Sequence, residues 1–161
     1  MSNEERVFVG LGANLGDAHA TLAAAVQGLG ALPQTQLVRL SPLYRSAPVD
    51  ASGPDFVNAV AELRCMLEPE VLLEHLHALE EQHRRERAYL NAPRTLDLDL
   101  LLFGSRVLRT PTLTLPHPRL HQRAFVLLPL RVLAPGLQHP LLGDLDACAV
   151  AVAHQRLERL P

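Results

Sequence analysis

The order of strand-like and helix-like segments is the feature that most restricts what this 161-residue chain can fold into. Four short runs that are apolar, or that alternate between apolar and polar residues, predict β-strands at residues 7–11, 37–44, 56–64 and 97–103. Apolar residues at helical spacing lie between these runs in two places. Asp17 can cap the first of these helices, and Pro69 suits the first turn of the second.

The resulting order, β-α-β-β-α-β, predicts an α+β, ferredoxin-like sandwich with an antiparallel sheet. Extra C-terminal helices are predicted at about residues 122–133 and 144–158, after a short hairpin within residues 106–115. The length, and the absence of a segment that resembles a linker, predict a single domain over residues 1–161.

The basic residues restrict the chemistry, because all 15 residues counted as lysine or arginine are arginines. The absence of lysine excludes a Walker-type phosphate loop and Schiff-base catalysis. The formal net charge of −2 argues against nonspecific nucleic-acid binding. The polar N-terminus does not resemble a signal peptide, and no apolar run is long enough to cross a membrane, so we expect a cytoplasmic protein without a membrane partner.

Asp97 and Asp99 form the strongest candidate site in the sequence. Residues i and i+2 of a strand share a face, so the two carboxylates should stand side by side in an otherwise apolar run. Because close like charges repel, a divalent cation between them would be stabilising, and two hard oxygen ligands suit Mg²⁺. The alternative is a solvated polar face on an edge strand.

A cluster of arginines lies shortly before the aspartates: Arg84, Arg85, Arg87 and Arg94. The planar guanidinium group binds phosphate oxygens well, and cations beside a metal-binding pair favour phosphoryl transfer. The alternative is that these arginines pair on the helix surface with nearby glutamates, namely Glu80, Glu81 and Glu86.

Two further patterns combine an aromatic and a polar residue two positions apart. Phe56 and Asn58 share one strand face, where a ring and an amide could hold a flat heterocycle. Arg123 and Phe125 repeat this pattern. The alternative for each ring is an ordinary core position. His117, which lies between two prolines, is a candidate phosphate or ribose contact.

The glycines of residues 10–16 do not have the spacing of a dinucleotide-binding loop. We therefore expect them to allow a tight turn from the first strand into the first helix. The histidines offer no good zinc set, because no suitable pair shares a helical face.

Several motifs, in this order, resemble those of the 6-hydroxymethyl-7,8-dihydropterin pyrophosphokinases of folate biosynthesis. The most specific is PRTLDLDLLLFG at residues 93–104. The others are GLGANLG at 10–16, SPLYRSAP at 41–48, DFVNA at 55–59, LPHPR at 115–119 and RAFVLLPL at 123–130. Together they extend over roughly residues 7–135, which makes the resemblance specific.

The resemblance implies a Mg²⁺-dependent enzyme with a ferredoxin-like fold that transfers pyrophosphate from ATP to the hydroxymethyl group of the dihydropterin and releases AMP. It implies two Mg²⁺ ions, with Asp97 and Asp99 as metal ligands and Arg85 and Arg94 in the chemical step. The implied pterin contacts are Ser46, Ala47, Val49, Phe56, Asn58 and Phe125. The implied nucleotide contacts are His77, Arg87, Arg94, Leu100, Thr114, His117 and Arg123. We expect a monomer.

The chain departs from the family pattern near the arginine cluster. Leu90, Asn91 and Ala92 stand where the family usually carries a basic residue and a tryptophan, and His77 stands where glutamine is common. Two other functions remain open on the sequence: a noncatalytic ferredoxin-like ligand-binding module, and a palm-like nucleotidyltransferase, which would release pyrophosphate instead of AMP.

Overall fold

An antiparallel sheet forms the centre of the molecule. The computed structural model describes residues 4–14, 17–47, 54–87 and 95–161. The elements of the first part are β1 (Glu5–Asn14), α1 (Ala18–Gly30), β2 (Thr35–Leu40), β3 (Tyr44–Ser46), β4 (Phe56–Cys65), α2 (Pro69–Arg87) and β5 (Thr95–Phe103). Those that follow are β6 (Leu108–Arg109), β7 (Thr114–Leu115), α3 (Ala124–Leu133), β8 (Gln138–His139), β9 (Gly143–Asp144), α4 (Asp146–Ala149) and β10 (Leu157–Arg159).

The strand order confirms the predicted ferredoxin-like α+β sandwich. The main sheet has the order β10-β3-β4-β1-β5, and β2 also pairs with β4. Every pairing in it is antiparallel, and β5 forms one edge. The predicted hairpin is also confirmed, since β6 and β7 form a separate two-stranded sheet.

The sheet separates two apolar clusters. On one face, residues of α1 and α2 such as Leu22, Leu29 and Leu76 pack against β1, β4 and β5. On the other face, α3 contributes Leu127 and Leu130 to a second cluster. Asp17 caps α1 as predicted, because its Oδ1 accepts a hydrogen bond from the backbone N–H of Ala20 at 3.0 Å. Within the described ranges, no helix combines the length and hydrophobicity that a membrane span requires.

The predicted second strand, 37–44, is divided into β2 and β3. Pro42 lies between them and has no N–H to donate to a neighbouring strand. The neighbouring Ser41 compensates: its backbone N–H donates to the Val60 carbonyl, and its hydroxyl accepts from the Val60 N–H, both at 2.9 Å. This break lets Arg45 and Ser46, which follow the predicted strand, continue the sheet as part of β3.

The prediction of a helix over 144–158 is wrong. Only Asp146–Ala149 is α-helical, a 3₁₀ turn follows, and β10 then pairs with β3 in the main sheet. Without β10, the short β3 would form the exposed edge beside β4. Pairing with β10 satisfies backbone groups of β3, and this distant contact overrides the local helical pattern.

The prediction of a glycine-rich turn after residue 11 is also wrong for Gly10 and Gly12. β1 continues to Asn14, and both glycines lie inside it, paired with β4 on one side and β5 on the other. Gly16 lies outside the described residues. The two strand glycines are therefore not explained by a turn.

Strand β4 carries a buried carboxylate, Glu62. Glu62 is 2% exposed and accepts hydrogen bonds from Arg6 Nε at 3.0 Å and from Arg39 Nη2 at 2.9 Å. Burial alone would raise the pKa of Glu62, but the bonds and charges of the two arginines outweigh it and lower the pKa below its ordinary value of 4.5.

We expect Glu62→Gln to destabilise the fold by about 1–2 kcal/mol at neutral pH, since it removes charge-assisted hydrogen bonds of a buried group. Because the folded pKa is lowered, this stabilisation is present above pH 4.5 and is lost as the pH falls through the folded pKa of Glu62. Urea unfolding of both proteins across this range measures the difference. Glu158→Gln, at the exposed pair with Arg45, is the matched control and should change stability by less than about 0.5 kcal/mol. A Glu62→Gln difference that did not depend on pH would contradict the assignment.

Candidate active site

A trough crosses the uncovered part of the sheet face that carries α3. The strand register aligns one residue from each of four strands in a row: Tyr44, Asn58, Gly12 and Asp97. The next row consists of Val60, Gly10 and Asp99. In both rows a glycine of the central strand β1 lies between a β4 residue and an aspartate, so β1 itself contributes no side chain to the middle of the trough. The Leu101 side chain lies 3.5 Å from the position that a Cβ atom at Gly10 would have.

Gly10 and Gly12 create space and are not required by backbone conformation. Neither glycine is among the described residues with positive φ. A Cβ atom at Gly12 would lie 3.3 Å from Asn58 Oδ1 and 3.6 Å from Phe56 Cδ1. The sequence interpretation missed this role, and the only available signal was their i, i+2 spacing.

The trough opens into a cavity of about 390 Å³. Its walls include both predicted aromatic residues, Phe56 and Phe125, together with Asn58 and Ser46. The Asn58 amide donates a hydrogen bond to the Ser46 hydroxyl at 2.7 Å, which orients the side chain of this buried residue. A flat ligand with donors and acceptors at one edge matches such a combination of rings and fixed polar groups.

Asp97 and Asp99 both line the same cavity, so the predicted carboxylate pair does share one face. Partial burial and the neighbouring charge of Asp99 raise the pKa of Asp97, and Arg123 opposes this effect. The edge position of β5 leaves the pair accessible, in line with the alternative of a solvated face, but the cavity walls enclose it in part. Two carboxylates that repel each other in a cleft suit a hard divalent cation whose remaining ligands are water and phosphate oxygens.

Glu80 of α2 contacts the strand that carries the aspartates, and the sequence interpretation did not assign it a role in the site. Its Oε2 accepts a hydrogen bond from the backbone N–H of Leu98, which lies between Asp97 and Asp99, at 2.8 Å. Burial raises the pKa of Glu80, as do the charges of the two aspartates, while the Leu98 bond and His77 lower it. Through this hydrogen bond, Glu80 of α2 fixes the backbone of the edge strand β5 between the two aspartates.

His117 lies beside the carboxylates. Its backbone N–H donates to the Leu101 carbonyl of β5 at 2.9 Å, and its Nδ1 accepts from the Arg119 N–H at 3.1 Å. Burial lowers the pKa of His117, with Arg123 and Arg119 acting in the same direction and Asp99 opposing them. A neutral ring with Nδ1 as acceptor carries its proton on Nε2, where it can donate to a ligand oxygen.

The other predicted site residues are distributed around this centre. Ala47 and Arg123 line the main cavity, and the Arg123 guanidinium carbon lies 5.6 Å from the centroid of the Phe125 ring. His77 lines a cleft with Asp97, and Thr114 lies with His117 in another. The Leu100 side chain is buried in the cluster on the opposite face, so only its backbone can reach a ligand in the trough.

The predicted arginine cluster is only partly described. Arg84 forms an ion pair with Glu81, as the helix-surface alternative expects. Arg85 is exposed near the end of α2. Arg94 and Val49 lie outside the described residues, and so does the side chain of Arg87.

Comparisons with known proteins agree with one another. Residues 8–135 match the family model described as 7,8-dihydro-6-hydroxymethylpterin-pyrophosphokinase (HPPK). A 2-amino-4-hydroxy-6-hydroxymethyldihydropteridine pyrophosphokinase of Pseudomonas aeruginosa is 45% identical over 158 residues, which cover 98% of this chain and 98% of that protein. The protein of the same name from Synechocystis is 40% identical over 135 residues, covering 84% of this chain and 69% of the relative.

Solved structures show the same fold. A wild-type Plasmodium falciparum HPPK-DHPS crystal structure superposes with a TM-score of 0.71 at 12% identity. The match covers 90% of this chain and 44% of that chain, so this protein spans less than half of the larger molecule. From the family match and the closely similar relatives, we conclude that the chain belongs to the HPPK family, whose enzymes transfer pyrophosphate from ATP to hydroxymethyldihydropterin in folate synthesis.

Proposed function

We propose that the cavity on the α3 face carries out this pyrophosphoryl transfer, with the dihydropterin ring between Phe56 and Phe125. The observation that supports this most directly is that Gly10 and Gly12 lie between Asn58 and the aspartates, where the absence of their side chains leaves room for a flat ring. In this position the Asn58 amide and the Ser46 hydroxyl lie at the end of the trough away from the aspartates. Ala47 and Val49 complete the pterin contacts.

The nucleotide side of the proposed site lies around the aspartates. Arg123 and the Nε2 proton of His117 donate to phosphate oxygens, and these groups already lie close to Asp97 and Asp99. We further assign nucleotide contacts to His77, Arg87, Arg94, Thr114 and the backbone of Leu100. Arg85 and Arg94 are assigned to the chemical step.

The donor set fits magnesium, and we propose that Asp97 and Asp99 hold two Mg²⁺ ions. Within the described ranges, no group of three or more histidine, cysteine or acidic side chains could form a closed metal cage. Two carboxylates alone suit ions that keep water and substrate phosphate among their ligands. When bound, Mg²⁺ neutralises charge on the phosphate oxygens.

The hydroxymethyl oxygen of the pterin attacks the β-phosphorus of ATP in line. A bond from this oxygen to the β-phosphorus forms as the hydroxyl proton is released to solvent. The bond between the β-phosphorus and the oxygen that bridges it to the α-phosphorus breaks, and AMP leaves with that oxygen. Phe56, Phe125 and Asn58 orient the nucleophile, while Arg123 and His117 hold the phosphates at the required angle. The protein thus acts mainly by positioning and by stabilising charge.

A product assay tests the proposed reaction. The chain is incubated with ATP, Mg²⁺ and 6-hydroxymethyl-7,8-dihydropterin, and the released nucleotide is identified. AMP together with a pterin diphosphate is the expected result. Release of inorganic pyrophosphate would instead support a nucleotidyltransferase, and the absence of any new product would support a noncatalytic binding module.

Glu80→Ala should raise the Mg²⁺ concentration for half-maximal activity about tenfold. The substitution removes one hydrogen bond to a charged acceptor, which otherwise fixes Leu98 between the two aspartates. Glu80→Gln keeps an oxygen acceptor and should change this concentration less than about threefold. Amide hydrogen exchange at Leu98 is a readout that does not depend on activity, and it should accelerate in Glu80→Ala only. An equal effect of both substitutions would show that the charge matters and the hydrogen bond does not.

We also propose that the chain acts as a single-domain monomer in the cytoplasm. The two apolar clusters share one sheet, and the C-terminal β10 completes that sheet beside β3, which supports one folding unit over the chain. Analytical ultracentrifugation measures the oligomeric state directly.

A further inference from the structure

A second cavity, of about 420 Å³, adjoins the main one but does not include the aspartates. The two cavities share Ser46, Ala47, Arg123 and Phe125. Arg119 and Arg156 line only the second cavity. Arg123 therefore lines both the proposed catalytic cavity and the second cavity.

The lining of the second cavity is strongly positive. It contains three arginines, Arg119, Arg123 and Arg156, and no acidic residue. Within the described part of the chain, none of the three forms an ion pair with a carboxylate. The whole chain carries a net charge of −2, so this local excess is not a consequence of overall composition. Clustered cations repel one another unless an anion lies between them.

Hydrogen bonds of the Gln155 side chain fix one wall of this second cavity. The side chain of Gln155 accepts a hydrogen bond from the Ala124 N–H at 2.8 Å and donates one to the Gln122 carbonyl at 2.8 Å. This connects the C-terminal segment that carries Arg156 to the start of α3. The ten-residue helix α3 begins at this point, so its positive dipole end adds to the field of the arginines.

We propose that this second cavity binds a diphosphate-type anion. Three guanidinium groups supply forked donors for phosphate oxygens, and no carboxylate is among the residues that line this cavity. Arg119 and Arg156 distinguish this site from the one assigned to the ATP phosphates, because they do not line the cavity that holds the aspartates, whereas Arg123 lines both. Its occupation is linked to catalysis through the residues that line both cavities, which are Ser46, Ala47, Arg123 and Phe125.

Isothermal titration of the full chain with inorganic pyrophosphate, without Mg²⁺ or ATP and at constant ionic strength, tests the proposal. We expect Arg119→Gln/Arg156→Gln to raise the Kd for pyrophosphate at least tenfold. Arg159→Gln is the matched control: it removes the same charge from the same C-terminal segment but lines a different cavity, so we expect less than a twofold change. Turnover of the double variant without added pyrophosphate should stay within twofold of the wild type.

The proposal is overturned if the wild type does not bind pyrophosphate at millimolar concentration, or if the double variant binds it as tightly as the wild type. It is also overturned if Arg159→Gln loses as much affinity as the double variant, because this would indicate a general charge effect. A parallel titration with the pterin diphosphate product identifies the source of the anion. If the double variant also loses affinity for the product, the product's diphosphate occupies the site, and if it does not, the occupant is the free anion.

Discussion

Asp97→Ala should lower kcat/KM at least about a hundredfold, equivalent to about 2.7 kcal/mol of transition-state stabilisation. The substitution leaves Asp99 as the single carboxylate facing the phosphates, and charge neutralisation at the reacting phosphoryl group is the main contribution expected from this site. Steady-state kinetics at saturating Mg²⁺ measures the loss. Normal turnover under these conditions would show that Asp97 is not a metal ligand.

Stability measurements separate this loss from unfolding. Because burial and Asp99 raise the pKa of Asp97, the ionised carboxylate destabilises the metal-free fold at neutral pH. Asp97→Ala should therefore unfold at a temperature no lower than the wild type without Mg²⁺. With Mg²⁺ and a nonhydrolysable ATP analogue, the wild type should gain more stability than the variant, because a ligand that binds only the folded state stabilises it more when its Kd is lower. Glu74→Ala, at an exposed glutamate of α2, is the control and should behave like the wild type.

Gly12→Val should raise the KM for the pterin by about tenfold to a hundredfold, with a much smaller change in the KM for ATP. Even the first carbon of the new side chain would lie 3.3 Å from Asn58 Oδ1, and the added methyl groups would fill the floor on which the ring is proposed to lie. Overpacking at such a site costs about 1–3 kcal/mol, which corresponds to this range of affinity. Separate titrations of the two substrates in the kinetic assay give both KM values.

Two variants serve as controls for Gly12→Val. Gly12→Ala adds only one carbon and should have an intermediate effect. Gly30→Ala, at the end of α1, meets nothing closer than Leu37 Cβ at 3.7 Å and should leave both KM values unchanged. An equal rise in the KM for ATP and for pterin would show that Gly12→Val disturbs the whole sheet, and the proposed pterin position would then lose its main support.

Local patterns were sufficient to predict much of the fold. Helical spacing, the Asp17 cap and Pro69 placed α1 and α2 correctly, because each depends on residues within a few turns of one another. The spacing of Asp97 and Asp99 likewise predicted that both carboxylates face one cavity, since strand geometry alone places residues i and i+2 on the same side. The order of the motifs then identified the family.

The errors and omissions share a physical cause. The segment 144–158 has helical spacing, yet its C-terminal part forms β10 because β3 offers unpaired backbone groups that lie more than 100 residues earlier in the chain. Gly12 resembles a turn residue in isolation, and its function in the strand appears only when Asn58 and Asp97 are aligned on either side of it. Local sequence patterns do not report such long-range pairing.

The sequence by itself determined the order of the first helices and strands, the carboxylate pair and the family, because these depend on local periodicity and on motifs. Only the tertiary structure decided which residues meet across the sheet. It placed Glu80 against Leu98, opened the trough over the strand glycines, and gathered Arg119, Arg123 and Arg156 around a second cavity. Each of these arrangements joins residues from separate elements, so it is set by strand register and packing and by no single segment of the chain.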